Sequence, residues 1–439
     1  MVEVSTGAPL TPLALPPPPP LTRTPARSRI SILHPGYGKG ENLLFALPAV
    51  DYVIDPSSQT RTWGHHHATA LIAGGIIANN AFDDVYLSHD RYGKTPITTP
   101  RDGILEPGNY WLQLNSIAGG ISHTPGTRSP SSTPIDKYKY PIVPSFTDWP
   151  FPHGKLPREW QQPHEPPDQQ DADQVIERCF LTDIKIGLEK AHLVPSAQAQ
   201  WFNRNEMGNY CAISTTKEIH DPSNKMVLMA NLHWAFDYPL FVIVPKPSAS
   251  SSSLGSSYAF VAHVLSSVPE ALDFASLYHN RSMQPKYFNL LKREFLFARF
   301  AWALFSYLRK FDQVSTTRLE LILVEEDSYV SKSITGKEFA ELRETRAESL
   351  NGSRKRRRLG SQDGEPNDED NVCEDDAYEE RWRRRSESWP SDYSCVGADC
   401  EDIHCGQLMR RGISSDSDTD TDTAGLPGLS RSFSIMDSN

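Results

Sequence analysis

The stretch DPSNKMVLMANLHWAFD, residues 221–237, decides how the middle of this chain is read. His233 and Asp237 stand four residues apart, so on a helix starting near Ala230 they project from one face about 6 Å from each other. That spacing suits two ligands of one divalent cation. Asn224 lies on the loop ahead of the helix, where its side chain can pin the loop or orient a neighbour. Before this stretch comes CFLTDIKIGLEKAHLVP, residues 179–195, and after it PLFVIVPK, residues 239–246. Together the three pieces predict the order strand, turn, strand, helix, strand.

His192 sits between Ala191 and a Leu-Val-Pro stop. A neutral imidazole with an ordinary pKa of about 6.5 suits activation of water near neutral pH, provided it is held within hydrogen-bond reach. An imidazole and a carboxylate accept Mg, Mn or Zn, and such an ion neutralises charge on a scissile phosphate. Taken singly, each residue has a plainer reading. A lone histidine is by default a satisfied structural residue, and His233 with Asp237 is equally a helix pair worth ~0.3 kcal/mol. The chemical reading rests on His192, Asn224, His233 and Asp237 arriving in order.

That ordered set, AHLVP (191–195), Asn224, LHWAFD (232–237) and the following apolar strand, resembles the HNH endonuclease family, whose ββα-metal fold clamps one cation between a hairpin and a helix. The opening Cys-x-x-Thr from Cys179 to Thr182 is similar to a fungal branch of proteins with this domain, and so are ISILHPGYG and REFLFARFAWALF further out. The resemblance implies that His192 is the general base, Asn224 the central Asn, His233 the last His and a metal ligand, and Asp237 a second ligand. It implies a hydrolase that cuts phosphodiester bonds in DNA or RNA with one divalent cation (Mg, Mn or Zn). Many relatives carry Asp or His immediately before the base, whereas Ala191 stands there. Glu189 is a substitute two residues earlier, on the face of Ala191 and not that of His192. A catalytically weak or inactive nucleic-acid-binding or scaffold protein is the alternative that Ala191 supports.

Around this unit the chain divides by composition. Residues 1–29 form a Pro-rich tail that cannot pack a core. Residues 30–114 read as an N-terminal α+β lobe, with HHATALIAGGIIANNAF as its helix and GNYWLQL as a strand. Residues 115–172, rich in Pro, Ser, Gln and Asp, read as a linker, and 173–247 as the HNH-like domain. Residues 248–340 form a helical and strand element after a Ser-rich hinge, and 341–439 a charged tail. With 35 Pro and such tracts among 439 residues, about 280 remain to bury a core. The fold class expected is α+β.

The helix in the C-terminal element is expected to run from Tyr287 to Phe311 with an apolar stripe and exposed Lys292, Arg293, Arg299 and Arg309. FARFAWALF is interrupted by Arg299 and is far shorter than the ~20 residues of a membrane span, so no membrane partner is expected. Six cysteines without a C-x2-C pair, and no charged-then-apolar leader, suggest a reducing compartment. His65, His66 and His67 read as a solvated turn or helix start. Cys395, Cys400, His404 and Cys405 have irregular spacing for zinc.

The tail alternates basic and acidic blocks, so the net charge of −11 does not argue against nucleic acid. Its low hydrophobicity and dense charge predict disorder. Arg354, Lys355, Arg356, Arg357 and Arg358 make a candidate nuclear-localisation patch for an import receptor, or a contact for phosphate backbone, with a nuclear location expected and a cytoplasmic one otherwise. SSDSDTDTDT suits an acidophilic kinase or a solvating tail.

Overall fold

RISIL alternates buried and more exposed side chains, the mark of a strand with one face on a core, while LLFALP is buried at four of its six positions. They form β1 (Arg29–Leu33) and β2 (Leu43–Pro48), which pair antiparallel, followed by β3 (Asp51–Ile54) and β4 (Arg61–His66). Next come α1 (His67–Ile77), β5 (Val85–Ser88), β6 (Ile104–Leu105), β7 (Gly108–Leu114), the single turn α2 (Asn115–Ala118) and the single turn α3 (Arg158–Gln161). One sheet has the order β2-β1-β7-β5, with β1 and β7 parallel; a second has the order β3-β4-β6. Every residue of α1 is buried, as a helix apolar on all sides must be. A Cβ added at Gly74 would stand 2.6 Å from a terminal methyl of Leu112 of β7, so a larger residue there would require the Leu112 side chain to shift.

The chain then makes β8 (Leu188–His192), α4 (Ala199–Arg204), β9 (Lys225–Met229), α5 (Ala230–Asp237), β10 (Phe241–Pro247) and β11 (Tyr258–Val264). Then come α6 (Pro269–Tyr278), α7 (Arg293–Tyr307), β12 (Leu319–Glu325) and β13 (Ser328–Ile334), and the last described residues, 336–345, are helical, so the first five residues of the expected tail continue a helix. The pairs β8-β9, β10-β11 and β12-β13 are each antiparallel. The class is α+β, as the sequence predicts. This computed structural model describes residues 28–55, 57–118, 138–161, 178–213, 215, 217–247, 258–308 and 317–345. The tail features, including Arg354–Arg358 and Cys395 to Cys405, lie outside the described residues, as does the whole second unit, Arg384–Asn439.

Three expectations change. The stretch read as a linker supplies core from its 138–161 portion: Tyr140, Trp149 and Trp160 are buried, and Trp149 stacks on Trp201 of α4 at 5.7 Å. Its prolines and polar residues conceal a few large aromatics, and these supply the burial. The expected boundary at residue 247 falls between paired strands, since β10 and β11 run in register from Phe241↔Val264 to Pro247↔Tyr258. The expected helix from Tyr287 is shorter. A 3-10 segment over Pro285–Leu290 gives way to extended backbone at Leu291 and Lys292 before α7 begins. Apolar spacing at helical period does not reveal such a break, because buried Leu291 and Phe295 satisfy the core on either side of it.

Two clusters of cations and histidines also differ from expectation. Arg299 is 1% exposed inside α7, under Phe236 and Trp302, and Arg293 donates to Trp160 O and Gln161 O. Arg299 is therefore not the free phosphate contact that a helix-face reading suggests, whereas Lys292 and Arg293 are exposed as expected, and Arg309 lies outside the described residues. His65, His66 and His67 are buried, because the β4-to-α1 junction runs through the core and not along the surface.

Candidate active site

The β8-β9 hairpin pairs Leu188 with Met229 and His192 with Lys225, which sets His192 at the far end of β8 beside the loop that holds Asn224. Gly187 enters β8 at φ +60, in the left-handed region that favours glycine, and its carbonyl accepts the first amide of α5 from Ala230 at 2.8 Å. The helix therefore starts where the hairpin starts, and α5 packs back along β8. This is the ββα order that the sequence predicts.

Asn224 is fully buried and ties two strands of loop together. Its Oδ1 accepts from Val194 N–H at 2.9 Å, while its Nδ2 donates to Val194 O at 3.1 Å and to Ile219 O at 2.7 Å. Its own carbonyl accepts from Leu193 N–H at 2.8 Å. Asn224 thus pins the backbone on the far side of His192 and stands as a positioning group. Asp221 helps: its carboxylate accepts from the N–H groups of Ala212, Ile213 and Ser223. Burial pushes that carboxyl up, but these bonds outweigh it and hold it below the usual value.

His192 is 7% exposed, and its Nε2 lies 3.1 Å from Nδ1 of the exposed His220, with the rings edge to face. His233, on α5, is engaged on both sides. Its Nδ1 donates to Glu189 Oε2 at 2.7 Å, and its Nε2 lies 3.1 Å from Asp237 Oδ2. Burial alone would lower this imidazole, yet the bonds and charges of Asp237 and Glu189 raise it above the ordinary histidine value. Arg299 Nη2 approaches Asp237 Oδ1 at 3.5 Å, so α7 supplies a cation behind the α5 carboxylate.

The structure therefore brings His233 and Asp237 into contact and joins them to Glu189 of the His192 strand. Glu189 and His192 are three residues apart on β8, about 10 Å along an extended chain and on opposite faces of it, so the Glu189 contact does not bring His192 to His233 and Asp237; His192 meets His220 instead. Ala191 is buried, on the face of β8 that Glu189 uses to reach His233. Residue spacing alone does not show the Glu189, His220 and Arg299 contacts, although Glu189 stands out in the sequence as the nearest acid to the base.

The donor set accommodates a divalent cation. Two ligands about 2.1 Å from one ion and at right angles to each other are about 3.0 Å apart, close to the His233–Asp237 spacing. Glu189 on Nδ1 is then the outer carboxylate that orients a ligating imidazole through its other nitrogen. A second group also falls within ligand reach among the described residues: Asp51, His263 and His279. There the protein supplies its own cation, because Lys246 Nζ donates to Asp51 Oδ1 at 2.6 Å, with Asp51, His263 and Lys246 buried and His279 part-buried. His279 Nδ1 accepts the Val264 amide, so the proton is on Nε2, which donates to Asp51 at 2.8 Å. Coordination through that Nε2 would require an imidazolate. We read this trio as an internal ion pair with its hydrogen bonds.

Residues 174–244 match the family model described as HNH endonuclease. No curated protein and no solved structure matches the chain. The match begins just before Cys179, ends in β10, and encloses the hairpin, the Asn224 loop and α5. This segment, residues 174–244, is an HNH endonuclease-family domain.

Proposed function

We propose that this chain is a divalent-cation-dependent endonuclease that hydrolyses phosphodiester bonds in DNA or RNA. The observation that carries the reading is the chain Glu189–His233–Asp237, 2.7 and 3.1 Å long, on a helix packed against the strand that bears His192. His233 and Asp237 would hold the ion, with Glu189 fixing the imidazole. Bound there, Mg, Mn or Zn would neutralise charge on the scissile phosphate and on the leaving oxygen. His192 takes a proton from the attacking water, a role that demands a neutral ring held in one orientation. Asn224 maintains that orientation by locking Leu193 and Val194 to the opposite loop.

A second reading has its own support. Ala191 offers no ligand, and Arg299 beside Asp237 competes with a cation for that carboxylate. Both favour a weak or inactive domain that binds nucleic acid or acts as a scaffold. Cleavage of plasmid DNA and of RNA by the purified full chain in Mg, Mn, Zn and chelator separates the two: metal-dependent cutting supports the endonuclease, and binding without cutting supports the module. Nuclear import through Arg354–Arg358 is a companion proposal. Replacing those five residues with Ala should abolish nuclear accumulation of a fluorescent fusion.

A further inference from the structure

His220 has no assigned role, yet it is the group that meets the buried base. Its Nδ1 lies 3.1 Å from His192 Nε2, with ring centroids 5.2 Å apart and planes at 74°. Both of its chain neighbours are fixed. The carbonyl of Ile219 accepts from Asn224 Nδ2 at 2.7 Å, and the carboxylate of Asp221 gathers three backbone amides. The second amide bond of Asn224 thus holds the segment that presents His220 to His192. His192 is 7% exposed while His220 faces solvent.

We infer that His220 is a positioning and proton-relay residue for His192, an inference that rests on the nuclease reading above. As water is deprotonated, its proton arrives on His192 Nδ1, the His192 Nε2 proton passes to His220 Nδ1, and His220 releases its Nε2 proton to bulk water, which leaves both rings neutral in the opposite tautomer. The rings reset when His192 Nδ1–H protonates the leaving oxygen, His220 Nδ1–H returns to His192 Nε2 and His220 Nε2 takes a proton from bulk water, so the proton lost to bulk is regained. A buried base without such an outlet would stay charged after each turnover until it reopened to solvent.

The test uses the full chain with His220→Ala. The expected result is a cleavage rate lower by about 10- to 100-fold, by analogy with outer groups that orient metal-ligating histidines. Affinity for uncleaved nucleic acid and thermal stability should not change. Because the lost ring is at the surface, added imidazole should restore a large part of the rate in His220→Ala and do nothing for His192→Ala. A rate within twofold of wild type, or a loss that imidazole leaves untouched, would overturn the relay. A second readout needs no activity. Nitrogen NMR of the two rings in the wild-type chain should show coupling across the Nε2 to Nδ1 bond, absent in His220→Ala. Coupling without any cleavage by wild type sinks the nuclease reading and the relay while leaving the positioning contact; cleavage without coupling sinks the contact itself.

Discussion

The protein keeps two groups of histidines in opposite electrostatic conditions. Around Asp51, His65, His66 and His263 are enclosed in the core with the part-buried His279 beside them, and burial pulls His65 down to about 4 and His66 and His263 well below the ordinary value. On the HNH unit, His233 is also buried, but its carboxylate partners Glu189 and Asp237 are part-exposed, and there the carboxylates prevail and raise it. The difference lies in who owns the carboxylate. Asp51 is taken by Lys246, His279, Asn280 and the His66 amide, and although burial pushes it up, those partners hold it well below the usual range. Glu189 and Asp237 remain available to His233. Similar residues thus build a structural ion pair in one place and the proposed ligand set in the other.

The comparison breaks most severely if the Asp51 group is not structural. Lys246→Met should leave a buried carboxylate without its cation and cost about 3–5 kcal/mol, read as a lower urea midpoint of the full chain. A loss below about 1 kcal/mol would remove Lys246 from the account. Next in size, His192→Ala should slow cleavage by ~10²- to 10⁴-fold and change folding stability by less than about 1 kcal/mol. If it unfolds the protein, His192 belongs with the structural group.

Acid sharpens the contrast. In unfolded chain a histidine binds a proton below about pH 6.5, whereas His65 waits until about 4 and His34, buried beside Tyr140, until about 3. The unfolded state therefore holds more protons throughout this window, so stability is full above about pH 6.5 and falls on acidification. Each such histidine contributes a slope of up to about 1.4 kcal/mol per pH unit. Urea midpoints that stay constant from about pH 7 to pH 5 would contradict the neutral, buried state of these rings. The smallest expected change is Ala191→Asp, which adds a carboxylate on the β8 face that reaches His233. It should tighten metal binding, read as a larger metal-dependent rise in melting temperature, at some cost in stability because the position is buried. No tightening would mean that the missing ligand does not limit the site.

Much of this site is legible in the sequence where the determining interactions are local. A four-residue spacing on a short helix puts His233 against Asp237 whatever surrounds it, and the ββα order follows from alternating and helical runs. Asn224 is legible as a loop pin, though its three partners are not. Glu189 meets His233 across 44 residues and His192 meets His220 across 28, contacts fixed by hairpin register and loop closure, which residue spacing does not encode. Arg299 was expected on an exposed face because charge usually lies there. Aromatic stacking by Phe236 and Trp302 and the nearby Asp237 carboxylate allow it inside. The histidine run at 65–67 misleads for a related reason: only the strand pairing of β4 with β3 and β6 shows that it crosses the core.

The most direct test is a three-way comparison of wild type, His192→Ala and His233→Ala, measuring nucleic-acid cleavage and metal-dependent thermal stabilisation on the same full-length preparations. Wild type should cut only with a divalent cation and should be stabilised by it. His192→Ala should lose cleavage and keep the stabilisation, and His233→Ala should lose both. Wild type that neither cuts DNA or RNA nor gains stability from Mg, Mn or Zn would contradict the account.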